Sequence, residues 1–135
     1  MFNPCEDGWI QWNNNCYRQI TELLTWPDAE KKCVEKDSHL ASVNSEEENI
    51  FIFSKVAKKA RSWIGGCDIE AEGTWSWIDN SPWNYTNWNR VQPDNANNIE
   101  DCLEIGYHAY AEEWNDLPCT YKLASVCKKI VKNSN

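Results

Sequence analysis

Apolar and polar positions follow two different rhythms along this chain. In residues 5–20, CEDGWIQWNNNCYRQI, two aromatic-bearing runs flank the polar turn of Asn13, Asn14 and Asn15, which predicts a hairpin. Helical spacing then begins. Thr25 is placed to cap, Pro27 fits a first turn, and Asp28 suits the positive end of the helix dipole. This helix is expected to run to about Asp37 and to bury Ala29 and Cys33. HLASV (39–43) reads as a short strand. Ser45 followed by Glu46, Glu47 and Glu48 is a capping box, opening a second helix with Ile50, Phe51, Phe53, Val56 and Ala57 as its expected inner face.

After Arg61 no helical period returns. Short aromatic runs such as SWIGG (62–66) and TWSWI (74–78) alternate with long polar stretches. Two early helices followed by short strands predict an α+β fold. Neither a repeat nor a linker interrupts residues 1–135, so a single domain is expected. Residues 79–101 are expected to form a long loop region, and loops of that length in compact domains are usually functional or disordered. Trp83, Tyr85 and Trp88 within it argue against disorder.

Composition narrows the function classes. The net charge of -8, with no basic patch, argues against a nucleic-acid partner. It fits plain solubility and a cation binder equally well. No run of about 18 apolar residues is present, so no membrane insertion is expected. Seven cysteines point to an oxidising compartment. The start, MFNPCEDGW, lacks the basic end and apolar run of a signal peptide, so a secreted chain whose signal has been removed is expected. No CxxC pair occurs, which argues against zinc and thioredoxin-like sites. Six cysteines suffice for three bridges with one left over, and spacing alone does not pair them. His39 and His108 have no evident nucleophile partner, so no catalytic residues are assigned and no enzyme is expected.

The candidate chemistry lies in oxygens. Residues 91–102 read VQPDNANNIEDC, dense in carboxylates and carboxamides. Asp68 with Glu72 precede them, and Asn115 with Asp116 follow. These are hard donors without histidine or cysteine at ligand spacing, which favours calcium over zinc or copper.

WIGG (63–66), EGTWSW (72–77), QPD (92–94), EDC (100–102) and WND (114–116), in that order between Cys5 and Cys127, resemble a C-type lectin domain over nearly the whole chain. The resemblance implies the long form with an N-terminal hairpin: an α+β, C-type lectin-like fold with two helices, short antiparallel sheets and a long calcium-binding loop region. It implies the pairs Cys5–Cys16, Cys33–Cys127 and Cys102–Cys119. Cys67 has no partner in that scheme and is either a buried thiol or an interchain bridge in a homodimer. Carried over position by position, it implies a Ca2+ held by Gln92, Asp94, Glu100, Asn115 and Asp116. Auxiliary calcium positions correspond to Asp68, Glu72, Asn95, Glu100 and Asp101.

Two neighbouring hydroxyls of one sugar would complete the ion's coordination, hydrogen-bonded by Gln92, Asp94, Glu100 and Asn115. Gln92 can donate and Asp94 only accepts, the reverse of the glutamate-then-asparagine order of mannose binders. In the family that reversal implies galactose or N-acetylgalactosamine. Galactose-binding relatives often carry a tryptophan two residues after QPD, where this chain has Ala96. Tyr107, His108 or Tyr110 is therefore expected over the sugar's apolar face, with mannose-type or mixed specificity as the alternative. Secreted recognition or agglutination is the expected role, and a protein, ice or mineral surface the alternative ligand. Trp63, Trp75, Trp77 and Trp88 are expected to pack, Trp114 to fix the WND loop, and His39 to be structural. Asn84, Tyr85 and Thr86 form an N-glycosylation sequon, which matters only in a chain secreted by a eukaryote.

Overall fold

The computed structural model describes residues 4–68, 74–88, 100–106 and 112–131. Strands β1 (Ile10–Trp12) and β2 (Asn15–Leu24) pair antiparallel around Asn13 and Asn14, with Asn13 at positive φ (52°). Helix α1 (Trp26–Val34) follows, then β3 (His39–Leu40) and helix α2 (Glu46–Phe51), which continues as a π-helical turn over Ile52–Val56. The remaining strands are β4 (Ser62–Cys67), β5 (Ser76–Trp77), β6 (Glu100–Ile105), β7 (Trp114–Pro118) and β8 (Leu123–Ile130). Among the described residues they form an eight-stranded sheet in the order β1-β2-β8-β4-β6-β7, with β3 on β8 and β5 on β4. The sheet is mixed rather than purely antiparallel: β8 lies between β2 and β4, antiparallel to the first and parallel to the second.

Two apolar clusters explain why the central strands are nearly all apolar. Tyr17, Ile64, Leu103 and Val126 pack with the second helix through Ile52, Phe53, Val56 and Ala57. Their chain neighbours Cys16, Trp63, Cys102 and Cys127 pack with α1 through Trp26, Ala29 and Cys33. Side chains alternate across a strand, so each helix covers one face of the sheet. The chain then needs close approaches, and Gly65 makes one: a Cβ there would lie 2.5 Å from the Leu40 carbonyl oxygen. The disulfides Cys5–Cys16, Cys33–Cys127 and Cys102–Cys119 tie the hairpin, α1 to β8, and β6 to the chain just past β7.

Both helix starts follow their caps. Thr25 Oγ1 accepts from the Asp28 amide, and Ser45 Oγ from the Glu48 amide. The ends differ from expectation. Helix α1 stops at Val34, because the Ser38 amide and hydroxyl both donate to the Cys33 carbonyl and Asp37 turns left-handed (φ 57°). In the second helix Ile50 points outward, 44% exposed, and Asn49 takes the inner position. The buried residues there recur as 48/49, 52/53 and 56/57, a period of about four. The i to i+5 bond from the Ala57 amide to the Ile52 carbonyl widens the turn enough to keep that stripe aligned.

A buried ion pair locks α2 to the sheet. Glu48 Oε2 accepts from Lys128 Nζ and from the Tyr17 hydroxyl, both at 2.5 Å, while its Oε1 accepts from the Asn44 amide. Lys128 also donates to the Ser42 carbonyl and hydroxyl. Every charged atom in the pair is thereby hydrogen-bonded, the condition under which buried charge is tolerated.

Candidate functional site

The WND residues begin β7, and their surroundings are built from three directions. Trp114 is fully buried; its indole N–H donates to Asn49 Oδ1 of α2 at 2.8 Å, and its amide to the Asn87 carbonyl. Asn49 and Asn87 in turn donate their side-chain amides to the Glu112 carbonyl. Around the Trp114 ring stand Trp77, Trp83, Tyr85 and Trp88, with centroids 5.5–5.9 Å away. Trp63 and Trp77 are buried and Trp75 and Trp88 half-buried, all four in packing contacts. Burial, with Glu46, Glu112 and Glu47 nearby, pushes the Tyr85 phenol up, so it stays neutral at physiological pH.

Asn115 sits opposite Glu104 in the β6–β7 ladder. Its Nδ2 donates to Glu104 Oε2 at 2.8 Å, and Arg61 grips the same carboxylate with two bonds of 2.8 and 2.7 Å. A carboxylate so paired only accepts, so the Asn115 amide presents its NH2 inward and keeps Oδ1 for another partner. Asp116, the next residue, is fully buried. Sequence reasoning missed Glu104; the signal was an acidic residue inside the apolar run CLEI. Asn49 was missed for the same kind of reason, a polar residue on a helix face read as apolar.

Two expected auxiliary positions also meet: the Asp68 amide donates to the Asp101 carbonyl at 3.1 Å, and Asp68 is buried. The expectations on Glu72, Gln92, Asp94, Asn95, Tyr107, His108 and Tyr110, and on the Glu100 side chain, fall outside the described residues; the Glu100 backbone opens β6. Among the described residues no group of three or more His, Cys, Asp or Glu could hold a metal ion. The part of the donor set that is described fits calcium in chemistry: a neutral amide oxygen beside a carboxylate, without nitrogen or sulfur ligands. Cys67 stands outside the three disulfides, half-buried and paired in register with Cys102. His39 is surface-exposed, its Nδ1 2.5 Å from Glu30. A cavity of about 480 Å3, lined among others by Asn44, Asp79, Ser81 and Lys128, includes none of those expected ligand residues that are among the described residues. No helix of the described residues is long and apolar enough to cross a membrane.

The Lectin C-type domain profile matches residues 22–129. The human C-type lectin domain family 4 member D is 31% identical over 129 residues, covering 94% of this chain; the chain spans only 60% of that relative's length. Among solved structures, a calcium-independent type II antifreeze protein superposes with a TM-score of 0.88 at 34% identity, covering 95% of each chain. The cow CD23 C-type carbohydrate-recognition domain, solved in the presence of a GlcNAc2Man3 oligosaccharide, also gives 0.88, at 30% identity, covering 96% of this chain and 98% of that one. The chain belongs to the C-type lectin domain family and has its fold.

Proposed function

We propose that residues 1–135 are one calcium-dependent carbohydrate-binding domain of a secreted recognition or agglutination protein, with no catalytic activity, and that its ligands end in galactose or N-acetylgalactosamine. The observation that carries the reading is the Asn115 amide, whose NH2 donates to the Glu104 carboxylate that Arg61 holds, so that its oxygen is left for a cation beside Asp116. Gln92, Asp94 and Glu100 would complete the site, all with oxygen donors. The calcium would supply a positive centre for two vicinal sugar hydroxyls. The chain's own side chains would orient those hydroxyls, with Gln92 donating, Asn115 donating the one amide hydrogen that Glu104 does not take, and Asp94 and Glu100 accepting. Asp68, Glu72, Asn95, Glu100 and Asp101 would hold an auxiliary ion, and Tyr107, His108 or Tyr110 would cover the sugar's apolar face. Agglutination needs two sites per particle, which a homodimer, through Cys67 or otherwise, would provide.

The likeness to a calcium-independent antifreeze protein supports a second reading, adsorption to ice or another surface without sugar. A glycan array probed with calcium and again with a chelator separates the two. Chelator-sensitive binding to terminal galactose or N-acetylgalactosamine is expected. Binding that survives the chelator would move the ligand site elsewhere, and no glycan binding together with ice shaping would establish the second reading.

A further inference from the structure

We propose that Asn84 is an N-glycosylation site, an inference that rests on the extracellular reading above. Asn84, Tyr85 and Thr86 form the sequence's one Asn-X-Ser/Thr acceptor in which X and the following residue permit transfer. A sequon by itself is weak. The structure adds that a glycan on Asn84 is compatible with the folded chain. Residues 81–87 carry no helix or ladder pairing and alternate in burial: Trp83 and Tyr85 are half-buried, while Pro82, Asn84 and Thr86 are exposed. The inward pair is anchored, Trp83 at 4.5 Å from the Trp77 ring and Tyr85 edge-on to Trp114 at 5.8 Å. Two aromatic anchors on one side of an irregular segment hold Asn84 and Thr86 together on the other. Transfer takes place on the chain before it folds, so what the fold must allow is room for the glycan, and the exposure of Asn84 gives it.

The co-substrate is an oligosaccharide carried on a polyprenyl diphosphate. The Asn84 amide nitrogen bonds to the sugar's anomeric carbon, the bond from that carbon to the diphosphate oxygen breaks, the carrier diphosphate leaves, and one amide proton passes to the transferase's base. Because the Asn87 carbonyl and Trp88 pair with Trp114, the glycan would stand beside the WND strand.

The test is secretion of the chain from animal cells behind a heterologous signal peptide, followed by intact mass measurement before and after peptide N-glycosidase. The expected result is a glycan-sized mass loss with Asn84 converted to aspartate. Asn84→Gln and Thr86→Ala should lack the added mass and Thr86→Ser should keep it. Secreted, fully disulfide-bonded chain of unmodified mass, from cells that glycosylate a control protein, would overturn the inference. Failure of the extracellular reading looks different: the chain is retained and its cysteines stay reduced. Sugar binding by the Asn84→Gln protein reports on the lectin reading independently.

Discussion

Four side chains carry the residue-scale expectations. Glu104 touches neither the proposed ion nor a sugar; it positions Asn115. Glu104→Gln can offer its own NH2 to Asn115 and so removes the reason for the amide to face one way. Calcium affinity should fall about tenfold, as for other changes behind a metal ligand, with the loss showing in a calcium titration and only a modest drop in melting temperature. Unchanged affinity would remove Asn115 from the site. The sugar preference is expected to follow Gln92 and Asp94: Gln92→Glu combined with Asp94→Asn reverses donor and acceptor order and should turn an array profile from galactose toward mannose. A profile that does not move would place specificity in other residues. Tyr17 tests the buried pair. Burial, and then Glu48, raise its phenol pKa in the folded state. A raised folded pKa means its contribution is complete below the unfolded value near 10 and is lost as pH rises beyond it. Tyr17→Phe should cost about 1.5–3 kcal/mol at neutral pH, the worth of a hydrogen bond to a charged group, and should flatten the loss of stability above about pH 10 in urea melts.

At the scale of elements, the disulfides close loops of very different size. Cys5–Cys16 spans 11 residues and Cys33–Cys127 spans 94. If constraint of the unfolded chain dominates, replacing the long-range pair by alanines should cost on the order of 2 kcal/mol more than replacing the hairpin pair. Equal losses in denaturant melts would mean that local packing, not loop length, sets their contribution. The elements also show what could be read in advance. Thr25, Pro27 and Ser45 announce helix starts because caps are local chemistry within three residues. The end of α1 and the outward turn of Ile50 were not legible, because Ser38 folding back on Cys33 and the widened turn at Ile52 are settled by packing. The ion pair of Glu48 with Lys128 spans 80 residues, Arg61 with Glu104 spans 43, and Trp114 with Asn49 spans 65. Periodicity sees only the polar member, out of place, and not its partner. The cysteine pairing was legible only through the family resemblance, since spacing left it open.

For the whole molecule, the sheet and its two helices form a frame that brings the WND strand, β6 and the aromatic cluster to one region. The same frame carries antifreeze proteins and carbohydrate-recognition domains, so fold alone does not choose between ice and sugar. Calcium decides a prior question, whether the oxygens form the cation site that the sugar reading requires. The most direct measurement is a calorimetric titration of calcium into the purified, fully oxidised chain at neutral pH. Saturable binding with a Kd of roughly 10⁻⁴–10⁻³ M, in the range of extracellular calcium modules, is the predicted result. No saturable heat at concentrations about tenfold above that range would contradict the account and leave the oxygens of residues 92–101 as a solvated loop.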